Sequence, residues 1–139
     1  MSRLYLATAS IVFVLAASPL FAQSAQSVKR TVKKDTETMV IVHSNSFKPN
    51  SGMLNCVQGG DVTIEITSPP KNGKVALKPA TEKSPNCTNE LKGTGIFYTP
   101  NPGFTGTDTF SYNRTDQGVR EVQKATGPQG ARVVTIEVR

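Results

Sequence analysis

The chain has no tryptophan and only one histidine among its 139 residues. Without tryptophan it lacks the side chain on which proteins most often stack sugars, which makes a carbohydrate-binding role less favoured. A single histidine, His43, excludes a two-histidine copper site. Any Ser-His-Asp or Cys-His mechanism would also have to run through it, and no nucleophile motif stands nearby. We therefore expect a structural or surface histidine and no enzyme.

Acidic residues are also scarce: ten against 16 lysines and arginines, for a formal net charge of +6. Glycoside hydrolysis requires two facing carboxylates. Glu65 and Glu137 are predicted to point outward from separate strands, where acidic residues usually serve solubility and edge protection. Aromatic residues do not alternate with the basic ones, so a stacking platform for single-stranded nucleic acid is absent. We predict no nucleic-acid partner.

Residues 1–22 have the composition of a secretory signal peptide. Arg3 supplies a positive charge, residues 11–17 form a short apolar core, and Ala22 stands at the expected cleavage position. The apolar stretch is too short to span a bilayer comfortably, and no second one follows. We expect a soluble protein, exported to the periplasm or the medium, with no transmembrane anchor after cleavage.

The mature chain is predicted to divide into a polar basic arm, residues 23–35, and one domain, residues 36–139. The arm is predicted to be irregular, and it carries a basic cluster of Lys29, Arg30, Lys33 and Lys34. Such a cluster is typical of a solvated terminal arm. It would also attract anionic polymers or lipid head groups of the cell envelope.

The two cysteines, Cys56 and Cys87, both lie in the predicted domain. In an oxidising compartment an even pair is most simply a disulfide. The alternatives are two buried thiols or half of a metal site, although a metal site would need more ligands than one histidine can complete. A bridge between these positions would stabilise the fold by roughly 3–4 kcal/mol on the chain-entropy model.

Short apolar runs separated by turn residues predict about seven β-strands and no helix. The clearest run is residues 61–67, where Val62, Ile64 and Ile66 alternate with polar residues. Residues 69–73 form a turn, and residues 74–78 are predicted to return as the partner strand. The remaining strands are predicted at residues 38–43, 53–57, 96–99, 107–113 and 131–138. Strands of this length and spacing indicate an all-β sandwich with Greek-key connections.

The stretch from Tyr98 to Tyr112 is the most informative in the sequence. A strand ends at Tyr98-Thr-Pro, and a second one begins after a turn that contains Gly103, Phe104 and Gly106. In the second strand Asp108, Phe110 and Tyr112 share one face. Phe104 is the one aromatic predicted to be exposed. We assign a structural corner motif to these positions: Tyr98, Pro100, Gly103, Phe104, Gly106, Asp108, Phe110 and Tyr112.

This stretch resembles bacterial immunoglobulin-like domains of the cadherin-like type. The matching residues are Tyr-Thr-Pro-Asn-Pro-Gly-Phe-Thr-Gly-Thr-Asp-Thr-Phe-Ser-Tyr, together with Pro-Pro-Lys-Asn-Gly-Lys-Val before them and Val-Val-Thr-Ile-Glu-Val at the end. The resemblance covers roughly residues 61–138. It implies an Ig-like or cadherin-like Greek-key β-sandwich of the kind found as tandem repeats in surface and adhesin proteins. This chain has one copy, and residues 115–130 form a longer insertion than the family pattern has.

Some relatives of this type bind calcium, and the corresponding ligands here would be Asp108, Asp116 and Asn101. Calcium takes 6–8 oxygen ligands, and the sequence has no Asp-x-Asp run to supply them. The alternative places Asp108 in the corner, where its carboxylate accepts backbone N–H groups of the preceding turn. We favour the structural role and predict no resident cofactor.

These observations predict a non-enzymatic exported Ig-like module that takes part in binding or adhesion at the bacterial cell envelope or outside it. Its partner would be a protein or an envelope polymer, contacted through two over-long loops at residues 79–93 and 115–130. One alternative is a structural envelope protein that self-assembles by edge-strand pairing. A small secreted inhibitor or hydrolase is the third hypothesis.

Overall fold

Nine β-strands form the part of the chain that the computed structural model describes, namely residues 26–47, 55–84, 87–116 and 130–139. No helix that could cross a membrane occurs in these ranges. The predicted signal peptide lies outside them, as do residues 117–129 of the predicted insertion. The strands are β1 (Gln26–Val32), β2 (Thr38–Ser44), β3 (Ser46–Phe47), β4 (Val57–Gln58), β5 (Val62–Ser68), β6 (Gly73–Glu82), β7 (Leu91–Pro100), β8 (Gly106–Asp116) and β9 (Gly130–Val138).

Seven longer strands form two sheets, with the order β1-β9-β8-β5 in one and β2-β7-β6 in the other. All of their pairs are antiparallel except β1 with β9, which are parallel. The orders β9-β8-β5 and β2-β7-β6 correspond to the G-F-C and B-E-D sheets of an immunoglobulin fold. The predicted Ig-like β-sandwich is therefore confirmed. The short strands β3 and β4 pair with each other.

The core lies between the sheets and follows the predicted alternation. On β5, Val62, Ile64 and Ile66 face inward, while the polar residues between them are exposed. Each large apolar side chain buried in this way stabilises the fold by about 1.5–3 kcal/mol relative to an exposed one. The core residues are Val32, Val40, Ile64, Ile96, Tyr98, Phe110, Tyr112, Val134, Ile136 and Val138.

The predicted irregular arm is wrong for residues 26–32, which form strand β1. Val28 and Val32 pair with Val134 and Val138 of β9, and Val32 enters the core. Between them Arg30 reaches across to the other sheet, where its Nε donates to the Val40 carbonyl at 2.8 Å. An edge strand needs apolar residues on one face only, so a basic sequence can still form one.

The turn at residues 69–72 does not make a hairpin, contrary to the prediction. Strand β5 pairs with β8, whereas β6 pairs with β7 in the opposite sheet. The turn therefore carries the chain from one sheet to the other. Crossings of this kind are what Greek-key connections in a sandwich require.

The predicted long loop at residues 79–93 is shorter than expected. Strand β6 continues through Pro79 to Glu82, and β7 begins at Leu91. Proline cannot donate to a ladder but is tolerated on an edge strand, and β6 lies at the edge of its sheet. The connection is reduced to residues 83–90.

Cys56 and Cys87 form a disulfide, as predicted. The bridge joins the segment before β4 to the connection between β6 and β7. The Asn89 side chain makes two hydrogen bonds to the backbone of Cys56. Its Oδ1 accepts from the Cys56 N–H at 2.8 Å and its Nδ2 donates to the Cys56 carbonyl at 2.9 Å. The two connections are thereby joined covalently and by hydrogen bonds.

The stretch from Tyr98 to Tyr112 crosses between the sheets through a turn that follows Pro100. Gly103 has a φ of 73°, in the left-handed region that favours glycine. Its N–H donates to Asp35 at 2.7 Å, which ties the turn to the connection between β1 and β2. Phe104 is partly buried against the core, so the prediction of an exposed aromatic at this position is wrong.

Candidate functional site

The carboxylate of Asp108 is buried and accepts four hydrogen bonds. Its Oδ1 accepts from the backbone N–H groups of Lys71 and Thr109, at 3.1 and 2.9 Å. Its Oδ2 accepts from the Asn72 N–H at 2.8 Å and from the Tyr98 hydroxyl at 2.9 Å. Buried charges are retained only where such donors replace water. Asp108 therefore joins β8, β7 and the turn between β5 and β6.

The donors differ from those predicted for this corner. The sequence predicts backbone N–H groups of the turn directly before Asp108, but the two turn donors come from residues 71 and 72 instead. Strand β5 pairs with β8, with Ser68 opposite Ser111, so the turn after β5 reaches the start of β8. Gly73 completes the contact, since a Cβ there would lie 2.5 Å from Cζ of Tyr98.

Among the described side chains, the candidate calcium ligands do not form a cluster. Both oxygens of Asp108 accept N–H or O–H groups, and Asn101 is an exposed turn residue whose N–H donates to the Asn72 carbonyl at 2.8 Å. The side chain of Asp116 lies outside the described residues. Within the described ranges no group of three or more His, Cys, Asp or Glu side chains could hold a metal.

A second polar cluster lies at the opposite end of β8, around His43. This histidine is only 5 % exposed. Its Nδ1 lies 3.3 Å from a guanidinium nitrogen of Arg114, and its Nε2 lies 2.7 Å from the Tyr112 hydroxyl oxygen. Arginine only donates hydrogen bonds, so Nδ1 accepts, and the neutral ring donates from Nε2 to Tyr112.

Two buried arginines accompany this histidine. Arg114 is 6 % exposed and donates to the Ser44 carbonyl at 3.0 Å, and Arg132 is 8 % exposed. Arg132 stands opposite Tyr112 in the β8–β9 ladder and donates to its hydroxyl. Burial raises the pKa of Tyr112, while Arg132, Arg114 and Arg30 act in the opposite direction. Three guanidinium charges therefore act on one hydroxyl.

His43, Arg30, Arg114 and Arg132 line a cleft of about 370 Å³ between the two sheets. One wall belongs to the sheet of β1, β8 and β9 and carries all three arginines. The other wall carries Ser44 of β2 and Glu82 of β6, whose Oε2 accepts from the N–H and hydroxyl of Ser44 at 3.1 and 2.5 Å. We call this space the arginine cleft: Val28, Arg30, Ile41, Val42, His43, Ser44, Ser46, Glu82, Ser84, Arg114 and Arg132.

The arginine cleft lies at the end of the sandwich where β2, β6 and β8 finish and β1, β7 and β9 begin. The strand registers pair Ser44 and Ala80 with Gly93, and Arg114 with Gly130. The disulfide joins two connections of this same end. In antibody variable domains the antigen-binding loops follow the corresponding strands B and F. The end that carries the Asp108 corner is the opposite one.

The sequence analysis did not identify the arginines, although the alternation contained the signal. Arg114 continues the face of Asp108, Phe110 and Tyr112, and Arg132 continues that of Val134 and Ile136. The predicted strands ended at residue 113 and began at residue 131, which left both arginines near their limits. A charged residue at a position where the alternation of a strand places its side chain on the buried face is the pattern that indicates an internal polar site.

Replacing Asp108 by asparagine tests the structural role against the calcium role. The amide would direct a donor toward N–H or hydroxyl donors, so we expect Asp108→Asn to lower the free energy of unfolding by about 2–3 kcal/mol. Urea unfolding with calcium and with a chelator measures this, and the loss should be equal in both. Asp61→Asn, at an exposed position, is the matched control. Stability equal to wild type, or a loss seen only with calcium, would contradict the structural role.

The stability of the protein should fall as the pH rises above about 10. Burial, followed by the hydrogen bond to Asp108 and its charge, raises the pKa of Tyr98 above its ordinary value of 10.0. Burial raises that of Tyr112 as well. A raised pKa in the folded state means that stability is complete below the pKa of the unfolded chain and is lost as the pH rises from that value through the pKa of the folded protein.

A tyrosine that stays protonated in the folded protein but ionises in the unfolded chain lowers the free energy of unfolding by up to about 1.4 kcal/mol per pH unit in this range. Urea midpoints between pH 8 and 11 measure the decline. Tyr98→Phe should show a shallower decline than wild type, since lysine titration is common to both proteins. Parallel curves for the two proteins would count against this account.

Comparison with known protein families agrees with this architecture. A family model described as Bacterial Ig domain matches residues 17–126, which is most of the chain and ends before β9. Neither the curated proteins nor the solved structures gave a match. The chain therefore belongs to the bacterial Ig domain family.

Proposed function

We propose that this protein is a non-enzymatic exported module that binds a partner at the bacterial cell envelope or outside it. Membership of the bacterial Ig domain family supports the proposal, since such domains are usually parts of exported surface proteins. The predicted signal peptide at residues 1–22 supports export. The binding surface in this proposal is the end of the sandwich that holds the arginine cleft.

The observation that carries the proposal is the cleft itself. Arg114 and Arg132 are each less than one-tenth exposed, and Arg114 is hydrogen-bonded to the Ser44 carbonyl and to His43, so charged side chains are held in place in the wall of the cleft. The disulfide and Asn89 join two connections at the same end. A binding module requires a concave site whose charged groups are held by strands and loops that are connected to one another.

The geometry gives no support to a hydrolase. Both cysteines are in the disulfide. His43 is held between Tyr112 and Arg114. Glu65 stands opposite Asn113 on β8 and Glu137 opposite Thr107, six residues further along the strand. That offset is about 20 Å at 3.4 Å per residue, beyond the spacing of a glycosidase pair.

Self-assembly through strand edges is the weaker candidate. The β6 edge contains Pro79, which cannot donate to a partner strand, and two lysines. One of them, Lys78, is paired with Glu37 at 2.6 Å. Proline and lysine on an edge are devices that prevent pairing with another chain.

An affinity capture from solubilised envelope and culture supernatant tests the proposal. We expect a partner to be retained by the mature oxidised protein at physiological salt. Val28→Trp, which fills the cleft from β1, should reduce retention at least about tenfold, the equivalent of about 1.4 kcal/mol. Thr31→Trp, on the outward face of the same strand, is the matched control. Retention only at low salt would indicate adhesion to anionic polymers and would contradict the proposal.

A further inference from the structure

We propose that strand β1 exchanges between two copies of this chain, so that each copy inserts its β1 beside β9 of the other. The inference goes beyond the proposed function, because it concerns how the arginine cleft is assembled. Val28 and Arg30 of β1 line that cleft. In the exchanged dimer each cleft is therefore lined by residues of both copies. We call the arrangement with β1 beside β9 of its own copy the closed form.

Strand β1 is attached to the rest of the fold through few contacts. It lies at the edge of its sheet and pairs with β9 alone among the described strands. Five of its seven residues are exposed, Val28 is half-buried and Val32 is buried. The hydrophobic effect is proportional to the apolar area removed from water. Withdrawing β1 is therefore less costly than withdrawing β8 or β9, whose inward residues are all buried where their side chains are described.

The connection between β1 and β2 is strained in the closed form. Residues 33–37 are all exposed, and Asp35 has a φ of 56°. Within the described ranges it is the one non-glycine residue with a positive φ. Residues that carry a Cβ are disfavoured in this left-handed region. An extended hinge releases that strain, and short strained hinges favour the exchange of a terminal element between copies.

The hydrogen bonds that favour the closed hinge lie at exposed positions. Asp35 accepts from the Gly103 N–H at 2.7 Å, and the Thr36 hydroxyl donates to the Lys34 carbonyl at 3.2 Å. When an exposed hydrogen bond opens, water replaces the lost partner at small net cost. The backbone strain at Asp35, by contrast, persists for as long as the hinge is closed.

The exchanged dimer reproduces the contacts of β1 with the fold. The ladder of β1 with β9, the burial of Val32 and the bond from Arg30 to the Val40 carbonyl would all form between copies instead of within one. The two forms therefore differ in the hinge and in the number of copies joined, so the hinge residues and the protein concentration decide the balance. Exchange uses no free strand edge, and the proline and lysines on β6 do not oppose it.

Cross-linking between two variants tests the exchange directly. Thr31 stands opposite Glu137 in the parallel ladder, and both are exposed. Thr31→Cys and Glu137→Cys proteins are mixed, unfolded in urea with the native disulfide intact, refolded together at high concentration and oxidised. We expect a disulfide-linked pair of β1 and β9 peptides by mass spectrometry, because that bridge requires β1 of one copy beside β9 of the other. Thr31→Cys mixed with Thr63→Cys, on the far edge strand β5 of the same sheet, is the matched control.

The role of the hinge has a separate test. Asp35→Gly and Asp35→Val both remove the carboxylate that bonds to Gly103, but glycine relieves the strain and valine increases it. After the same refolding, light scattering should give a dimerisation constant at least about fivefold larger for Asp35→Val than for Asp35→Gly. Thr36→Gly and Thr36→Val, at a neighbouring residue without a positive φ, should give equal constants. Thermal unfolding verifies that each variant is folded.

The outcomes separate this inference from the proposed function. A linked β1–β9 pair, together with more dimer in Asp35→Val than in Asp35→Gly, supports the exchange. Monomers at every concentration, dimers without the linked pair, or equal dimerisation constants for the two Asp35 variants overturn it. Monomeric protein that captures an envelope partner leaves the proposed function standing, whereas exchanged dimers that capture no partner leave the exchange alone standing.

Discussion

The inward face of strand β8 is the constraint on which the rest of the structure depends. It presents Asp108, Phe110, Tyr112 and Arg114 to the space between the sheets, so a carboxylate and a guanidinium lie at opposite ends of two aromatic rings. Each charged end must be hydrogen-bonded because it is buried. A shift of the ladder by one residue would turn all four side chains outward. The pairing of β8 with β5 and β9 therefore does not tolerate a shift of one residue.

The two ends satisfy this requirement in different ways. At one end, Asp108 is satisfied by backbone N–H groups and the Tyr98 hydroxyl, which close the sandwich against the turn after β5. At the other, Arg114 and Arg132 face a cleft with one carboxylate on its far wall. The first arrangement joins elements of the fold to one another. The second borders an opening of about 370 Å³, where we propose that a partner binds.

Much of this fold could be predicted from local pattern. The alternation in β5 and β8, the cysteine pair and the family resemblance each depend on nearby residues, and all three are confirmed. Strand β1 was missed because its sequence is basic and only Val28 and Val32 mark its inner face. The extension of β6 through Pro79 was missed because proline is acceptable only at an edge, and edges are assigned by tertiary pairing.

The arginine cleft could not be predicted in the same way, since its lining comes from six strands, β1, β2, β3, β6, β8 and β9, and from Ser84 after β6. Arg114 and Arg132 are in phase with buried faces, and this was the available signal. That Arg30 lines the same cleft, however, depends on the parallel pairing of β1 with β9. That pair joins residues more than a hundred positions apart, as Gln26 with Arg132, and no local pattern encodes it.

Chemical-shift mapping with the captured partner tests the central claim most directly, namely that the Asp108 end joins elements of the fold while the end with the arginine cleft is the proposed binding surface. With ¹⁵N-labelled oxidised protein, the backbone signals of Ser44, Arg114 and Arg132 and the arginine Nε–Hε signals should shift saturably. The signals of Lys71, Asn72 and Gly103 at the Asp108 end should stay in place. Shifts confined to exposed lysines such as Lys29 and Lys34, without change in the cleft, would contradict the account.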